Sequence, residues 1–216
     1  MIHFETVTKI YNSKNVRKVI LDGVTFTFAD KKNIAIMGHN GAGKSTLMRM
    51  LAGIELPTSG RVRRDEKVSW PLGFSAGFNG TMTGVENTRF VARIYGENTE
   101  TVLANVQTFS ELGVSLTLPV STYSSGMKAR LAFGLSLAIN FDCYLIDEIT
   151  AVGDRRFKDK SHKALKDKIR KSRVIMISHS EKTIRDFCDS GILLLGAKIY
   201  YYDNINDLIM DYRKFC

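Results

Sequence analysis

The chain has 216 residues, 44% of them hydrophobic, and a formal charge of +9 from 31 Lys and Arg against 22 Asp and Glu. This length predicts one domain with a sizeable core, and the composition excludes a disordered or fibrous chain. No basic, apolar, small-residue pattern marks a signal peptide. The longest apolar stretch, residues 131–141, is too short to span a bilayer and carries Ser136 and Asn140, so the chain is expected to be soluble and cytosolic. Three scattered cysteines, Cys143, Cys188 and Cys216, predict reduced thiols, not a disulfide frame or a metal site.

Residues 2–8 alternate partly and predict a first strand, followed by Tyr11 and a polar loop over residues 12–18. Val24, Phe26 and Phe28 alternate with Thr25 and Thr27 in a second strand, residues 19–28. A turn at Asp30-Lys31-Lys32 leads to an apolar run, residues 33–37, short enough for a buried strand. Residues 38–46 then match G-x-x-x-x-G-K-[ST], and residues 47–52 read as a helix. Strand, glycine-rich loop and helix form the context of a phosphate-binding loop. Its glycines let backbone N–H groups close around phosphate oxygens, and the helix N-terminus adds partial positive charge. Lys44 reaches β- and γ-phosphates, and the Ser45 hydroxyl is a candidate Mg²⁺ ligand.

Gly53, Pro57, Ser59 and Gly60 mark a loop, and residues 61–69 predict a short strand pair. Gly73, Gly77, Gly80 and Gly84 recur around Phe74 and Phe78, as in a flexible connection to a second layer. Helices are predicted over residues 86–95 and 100–112, the latter with Thr99 as N-cap and Gly113 as stop, and over residues 125–140. Residues 143–147 return to the buried-strand pattern. The next helix is strongly basic, with Arg155, Arg156, Lys158, Lys160, Lys163, Lys166, Lys168, Arg170, Lys171 and Arg173 opposed by Asp154, Asp159 and Asp167. Phe157, Ala164, Leu165 and Ile169 share one side of it; its basic face is either merely solvated or turned to an anionic surface. A strand (174–178), a helix (181–187), two strands (192–195 and 198–202) and a helix (205–214) complete the chain. Strands alternating with helices predict an α/β fold with a mostly parallel sheet and N-terminal antiparallel strands. The strandless run 86–140 predicts an inserted helical subdomain within a single domain.

Four features carry chemistry in order. After the phosphate loop comes Tyr123-Ser124-Ser125-Gly126-Met127, a helix start that is either a plain N-cap or an anion site. Asp147 ends a strand with Glu148 beside it, either a pair of loop acids or a Mg²⁺ ligand next to a group that orients the attacking water. His179 follows the next strand.

Together they resemble the ATP-binding cassette (ABC) ATPases. The signature, usually Leu-Ser-Gly-Gly-Gln, is here Tyr123 to Met127 and keeps the second-position serine and the fourth-position glycine. The resemblance implies that Gly38, Asn40, Gly41, Ala42, Gly43, Lys44, Ser45 and Thr46 hold ATP, and that Tyr11 stacks on adenine. It implies that Ser45 and Asp147 hold Mg²⁺ and that Glu148, His179 and Lys44 are catalytic. Ser125, Gly126 and the D-loop Asp154 would meet nucleotide held by a second copy, in an ATP-sandwich homodimer. The family's sensor-loop glutamine is missing between residues 70 and 86; Asn79, one methylene shorter, is the nearest candidate for that metal contact.

Ser69-Trp70-Pro71, Thr83-Gly84-Val85-Glu86-Asn87 and residues 147–154 narrow the resemblance to ATPase subunits of bacterial polysaccharide exporters, the capsular branch matching best. O-antigen and teichoic acid exporters share much of the pattern, but many O-antigen exporters add a carbohydrate-binding domain after the ATPase. The resemblance implies a separate integral membrane permease, envelope polysaccharide-export proteins as partners, and a place on the cytoplasmic face of the inner membrane. No specific nucleic acid partner is expected. A soluble ABC ATPase acting on nucleic acid or ribosomes is the rival class; such proteins carry two cassettes or a long coiled coil, and this chain has no sustained heptads. A binding module without turnover conflicts with the presence of Glu148 and His179.

Overall fold

The computed structural model describes residues 1–13, 16–29, 32–72, 77–147, 155–170, 172–178 and 180–216. The expected turn at Asp30-Lys31 and the pair Gly73-Phe74 lie outside them, as does the segment 148–154. The described residues fall into two compact units, one drawn from Met1–Pro71, Phe141–Ile149 and Ser172–Cys216, the other from Leu72–Asn140 and Thr150–Lys171.

In the first unit, β1 (Ile2–Ser13) and β2 (Val16–Phe28) form a long antiparallel ribbon. Both strands run further than their apolar patterning predicts. Tyr11, Asn12 and Ser13 pair with Lys18, Arg17 and Val16, so residues 12–13 and 16–18 of the expected polar loop are instead paired strand. Backbone pairing there does not require a buried face, and hydropathy alternation cannot register it. The apolar run becomes β3 (Ile34–Met37), buried throughout, and the phosphate loop opens into α1 (Lys44–Ala52).

β4 (Ser59–Arg64) pairs with β1, whereas β5 (Val68–Pro71) belongs to a second sheet. The expected pair over residues 61–69 is therefore two strands in different sheets. The link Asp65-Glu66-Lys67 has no glycine to supply the left-handed backbone of a tight hairpin. β6 (Cys143–Asp147), β7 (Arg173–Ile177), β8 (Ser190–Leu195) and β9 (Lys198–Tyr202) complete the second sheet, in the order β5-β6-β7-β3-β8-β9. All its pairings are parallel except the last. Residues Val174 to Ile177 and Cys143 to Ile146 are buried without alternation, as expected for strands covered on both faces.

α1 joins the two sheets. Leu47, Met48, Met50 and Leu51 sit in one core with Ile36, Leu145, Ile175 and Leu194 of the parallel sheet and Ile2, Phe4 and Phe28 of the ribbon. The helix ends where Gly53 turns left-handed (φ +77°). Its last carbonyls are taken by Arg64, whose Nε donates to Leu51 O at 2.8 Å and whose Nη2 donates to Met50 O.

In the second unit, α2 (Gly84–Ile94) begins with a capping box between Thr83 and Glu86. α3 (Thr99–Ser110) is capped by Asn98, whose Oδ1 accepts from Thr101 N at 2.9 Å. The expected cap, Thr99, is the first helical residue instead; Asn, with an amide oxygen free of a branched Cβ, is the stronger N-cap of the two. Two 3₁₀ turns, Gly113–Thr117 and Val120–Thr122, lead to α4 (Ser125–Ala138). The basic stretch is α5 (Arg155–Ile169), which buries Phe157 and Leu165. Lys160 Nζ donates to the carbonyls of Thr108 (3.2 Å) and Phe109 (3.0 Å) and pairs with Glu111 (2.6 Å), a cation placed at the C-terminus of α3. Phe109 stacks on Phe133 and meets Phe157 edge-on.

The first unit closes with α6 (Glu181–Phe187) and α7 (Ile205–Phe215), tied by a bidentate Arg213–Glu181 pair at 2.6 and 2.9 Å. Among the described residues no helix is long and apolar enough to cross a membrane. Cys143 and Cys188 are buried free thiols, each pushed up to about 12 by desolvation.

Arg173, at the start of β7, forms an ion pair with Glu66, and the two side chains are only 3% and 9% exposed. Removing one partner strands the other charge. Glu66→Ala is expected to cost about 3 kcal/mol in urea unfolding, and the double variant Glu66→Leu/Arg173→Met should recover most of that loss.

Candidate functional site

The site lies where the parallel strands end. Ile36 pairs with Ile177 and Ile177 with Asp147, so the strand feeding the phosphate loop and the strand ending in Asp147 are in step across β7. That places the Asp147 backbone roughly 10 Å from the loop strand, two strand spacings away, on the edge of the sheet where α/β folds bind ligands.

The loop forms a cradle for an anion. Its turn closes through Ala42 N to His39 O at 3.1 Å. Gly43 adopts φ +104°, and a Cβ there would fall 2.3 Å from Ile20 Cγ2 of β2, so only glycine fits. A Cβ on Gly38 would meet Leu194 O at 2.7 Å. Gly43 is the N-cap of α1 and offers no side-chain cap, which leaves the first N–H groups of the helix available to a ligand.

A cleft of about 360 Å³ opens over this cradle, lined by Tyr11, Lys18, Ile20, Asn40, Gly41, Gly43, Lys44, Ser45, Thr46, Asp147 and Ile177. The structure thus brings together most of the expected loop residues with Tyr11 and Asp147. The Lys44 amine curls back on its own loop, donating to Gly38 O (2.7 Å) and His39 O (3.1 Å). Burial lowers its pKa, against the opposing charges of Cys216 and Asp147.

Ser45 and Asp147 supply two hard oxygen donors to the same cleft. Among the described residues there is no group of three His, Cys, Asp or Glu able to cage a metal. This donor set fits Mg²⁺, which takes one or two protein oxygens and completes its shell with phosphate and water.

Tyr11 is anchored through its hydroxyl. That hydroxyl donates to Glu55, receives Arg49 Nη2 at 3.1 Å, and lies 3.3 Å from Thr46 Oγ1 of the phosphate loop. Arg49 Nε and Lys9 Nζ also reach Glu55, at 2.8 and 2.7 Å. Desolvation alone would raise the Glu55 carboxyl; the hydrogen bonds from Lys9, Tyr11 and Arg49 outweigh it and bring the group to about 2. Arg49, Glu55, Lys18 and Ile20 escape the sequence reading. Lys18 and Ile20 both line the cleft, but a register shift at Ile20 interrupts the two-residue alternation of β2, so sequence periodicity carries no signal for them.

Ser125, Gly126 and Asn79 belong to the second unit. Ser124 caps α4, its Oγ accepting from Met127 N at 3.2 Å, so the exposed Ser125 hydroxyl is not spent on the cap. The signature's Tyr123 is anchored by its hydroxyl, which donates to Ser115 O at 2.6 Å. Asn79 Oδ1 accepts from Thr81 N (3.0 Å) and Thr81 Oγ1 (2.7 Å). Glu148, Asp154 and His179 lie outside the described residues.

The profile of the ABC transporter family matches residues 21–151. The polysialic acid transport ATP-binding protein KpsT of Escherichia coli is 47% identical over 99% of both chains. The capsule polysaccharide export ATP-binding protein CtrD of Neisseria meningitidis serogroup B is 45% identical over 95% of both. The teichoic acids export ATP-binding protein TagH of Bacillus cereus is more distant, at 34% identity, and the chain covers 42% of its length. Among solved structures, the dimeric post-hydrolysis state of the ATP-binding cassette MJ0796 bound to ADP and Pi superposes with a TM-score of 0.76 over 95% of this chain and 99% of that one, at 20% identity. The chain belongs to the ABC transporter family, as an ATP-binding protein of its capsule polysaccharide export branch.

Proposed function

We propose that the chain is the ATP-hydrolysing subunit of an exporter that drives capsular polysaccharide across the bacterial inner membrane. It works with a second copy of itself and a separate permease, on the cytoplasmic face. The observation that carries this reading is the phosphate cradle with Lys44, Ser45 and Asp147 on one cleft, in a chain similar from end to end to capsule-export ATP-binding proteins.

The residues divide the work as follows. The backbone of residues 38–46 and the start of α1 hold the triphosphate. An incoming phosphate offers Lys44 anionic acceptors in place of two carbonyls, and a desolvated ammonium gains most from that exchange. Ser45 and Asp147 would hold Mg²⁺, which would supply positive charge to the phosphates. Tyr11 stacks on the base, its ring fixed by the tether from its hydroxyl to Glu55 and Arg49. Glu148 follows Asp147 directly and accepts a proton from, or orients, the attacking water; His179 is assigned to the γ-phosphate end of the site. Ser125, Gly126 and Asp154 act on nucleotide held by the second copy. Asn79 is assigned to the missing sensor glutamine; because Thr81 occupies its oxygen, contact with a metal requires that turn to open.

Lys44→Ala is expected to weaken ATP binding by at least about tenfold, from loss of a charge-assisted contact in a partly buried site; unchanged affinity in calorimetry would remove the loop assignment. Glu148→Gln should bind ATP but hydrolyse it slowly, and so accumulate as a dimer. Light scattering after size exclusion that finds only monomer with ATP would count against two shared sites. The Tyr11 tether sets a pH test. The Glu55 pKa falls from about 4.5 unfolded to about 2 folded, so its contribution is complete above pH 4.5 and is lost as pH falls towards 2. Melting temperatures of Glu55→Gln should therefore fall less steeply than wild type across that window.

A further inference from the structure

Lys18 is opposite Tyr11 in the register of the ribbon. It is two residues before Ile20, the side chain against which Gly43 is packed. A Cβ built on Gly41, in the middle of the phosphate loop, would lie 3.4 Å from Lys18 Nζ. The ammonium therefore hangs directly over the loop, on the wall of the cleft that also holds Lys44, Ser45 and Asp147. Among the described residues, no hydrogen bond or ion pair engages it. A long, flexible cation on an exposed ribbon ordinarily swings into water, because holding it costs side-chain entropy. Here strand pairing fixes its stem and the side chain needs no rearrangement to meet an anion seated on the loop.

We propose that Lys18 is a second cation for the nucleotide polyphosphate, acting across the cleft from Lys44. The cross-strand pair Tyr11 and Lys18 then forms one recognition edge, with the ring for the base and the ammonium for the phosphates behind it. This inference rests on the nucleotide reading of the cleft. Lys44 approaches from the helix side and is partly desolvated, whereas Lys18 approaches from the ribbon and remains exposed. Its share is accordingly smaller and more sensitive to salt.

The test is ATP binding with Mg²⁺ by calorimetry, at low and high salt, for wild type, Lys18→Arg, Lys18→Met, Lys18→Glu and Lys44→Ala. Lys18→Arg should bind as wild type, Lys18→Met about fivefold more weakly, and Lys18→Glu more weakly still. The salt dependence should be shallower for Lys18→Met. Nucleotide-free melting temperatures should be unchanged across the Lys18 series, which separates charge from folding. A purely structural lysine would tolerate Met, a side chain of similar length, without loss of affinity. If Lys18→Met and Lys18→Glu bind ATP like wild type while Lys44→Ala does not, this inference is wrong and the nucleotide reading stands. If wild type itself fails to bind ATP, both fall.

Discussion

The structure depends on one requirement: several backbone N–H groups must stay unpaired at the end of a buried strand. Unpaired donors inside a protein are costly unless something takes them. Here they belong to the first turn of α1, which has no side-chain cap, and they face a cleft in place of the core. What surrounds them follows from that. Gly43 has no Cβ because Ile20 stands against it, and Gly38 has none because the Leu194 carbonyl does. Four side chains of α1 are buried in the core that joins the ribbon to the parallel sheet, so the helix cannot turn away to hide its donors elsewhere.

This constraint explains what could be read from the amino-acid sequence. Where residues are buried on both faces, composition and position coincide, and the loop strand and the Cys143–Asp147 strand are legible to within a residue; the Glu181–Phe187 helix, buried only at Ile184 and Phe187, is legible from its spacing instead. Where backbone pairing proceeds without burial, hydropathy carries no information. The end of the ribbon is such a place. Its residues are polar and mostly exposed, yet Tyr11 to Ser13 are paired. The cost of that omission falls on the site, because Lys18 is positioned by the ribbon.

Charge is the other quantity that misleads when read in bulk. The +9 balance invites a polyanion partner, but part of it serves the fold. Lys160 neutralises the end of α3 and Glu111, Arg64 takes carbonyls of α1, and Arg173 is buried with Glu66. Lys168 reaches Asn140 at 2.8 Å. These cations already have acceptors, and engaging them elsewhere would mean breaking those contacts first. Lys18 differs: among the described residues no hydrogen bond or ion pair engages it, and its ammonium lies over the phosphate loop.

The antiparallel ribbon therefore has a role beyond covering the sheet. A phosphate loop alone grips any nucleoside triphosphate, since it contacts only phosphate oxygens. Any contact to the rest of a nucleotide must come from an element that reaches past the phosphates and is held in step with the loop, and the β1–β2 ribbon is so held. Ile20 packs on Gly43, and the Tyr11 hydroxyl is bound to Thr46, Arg49 and Glu55 on and beside α1. Each tether joins the ribbon to the helix whose N-terminus makes the cradle. The Tyr11 ring and the phosphate cradle are thus joined by side-chain contacts through α1, and the ribbon also meets the second sheet directly, where Phe26 packs near Tyr201 and Asp22 N donates to Ala197 O at 3.0 Å.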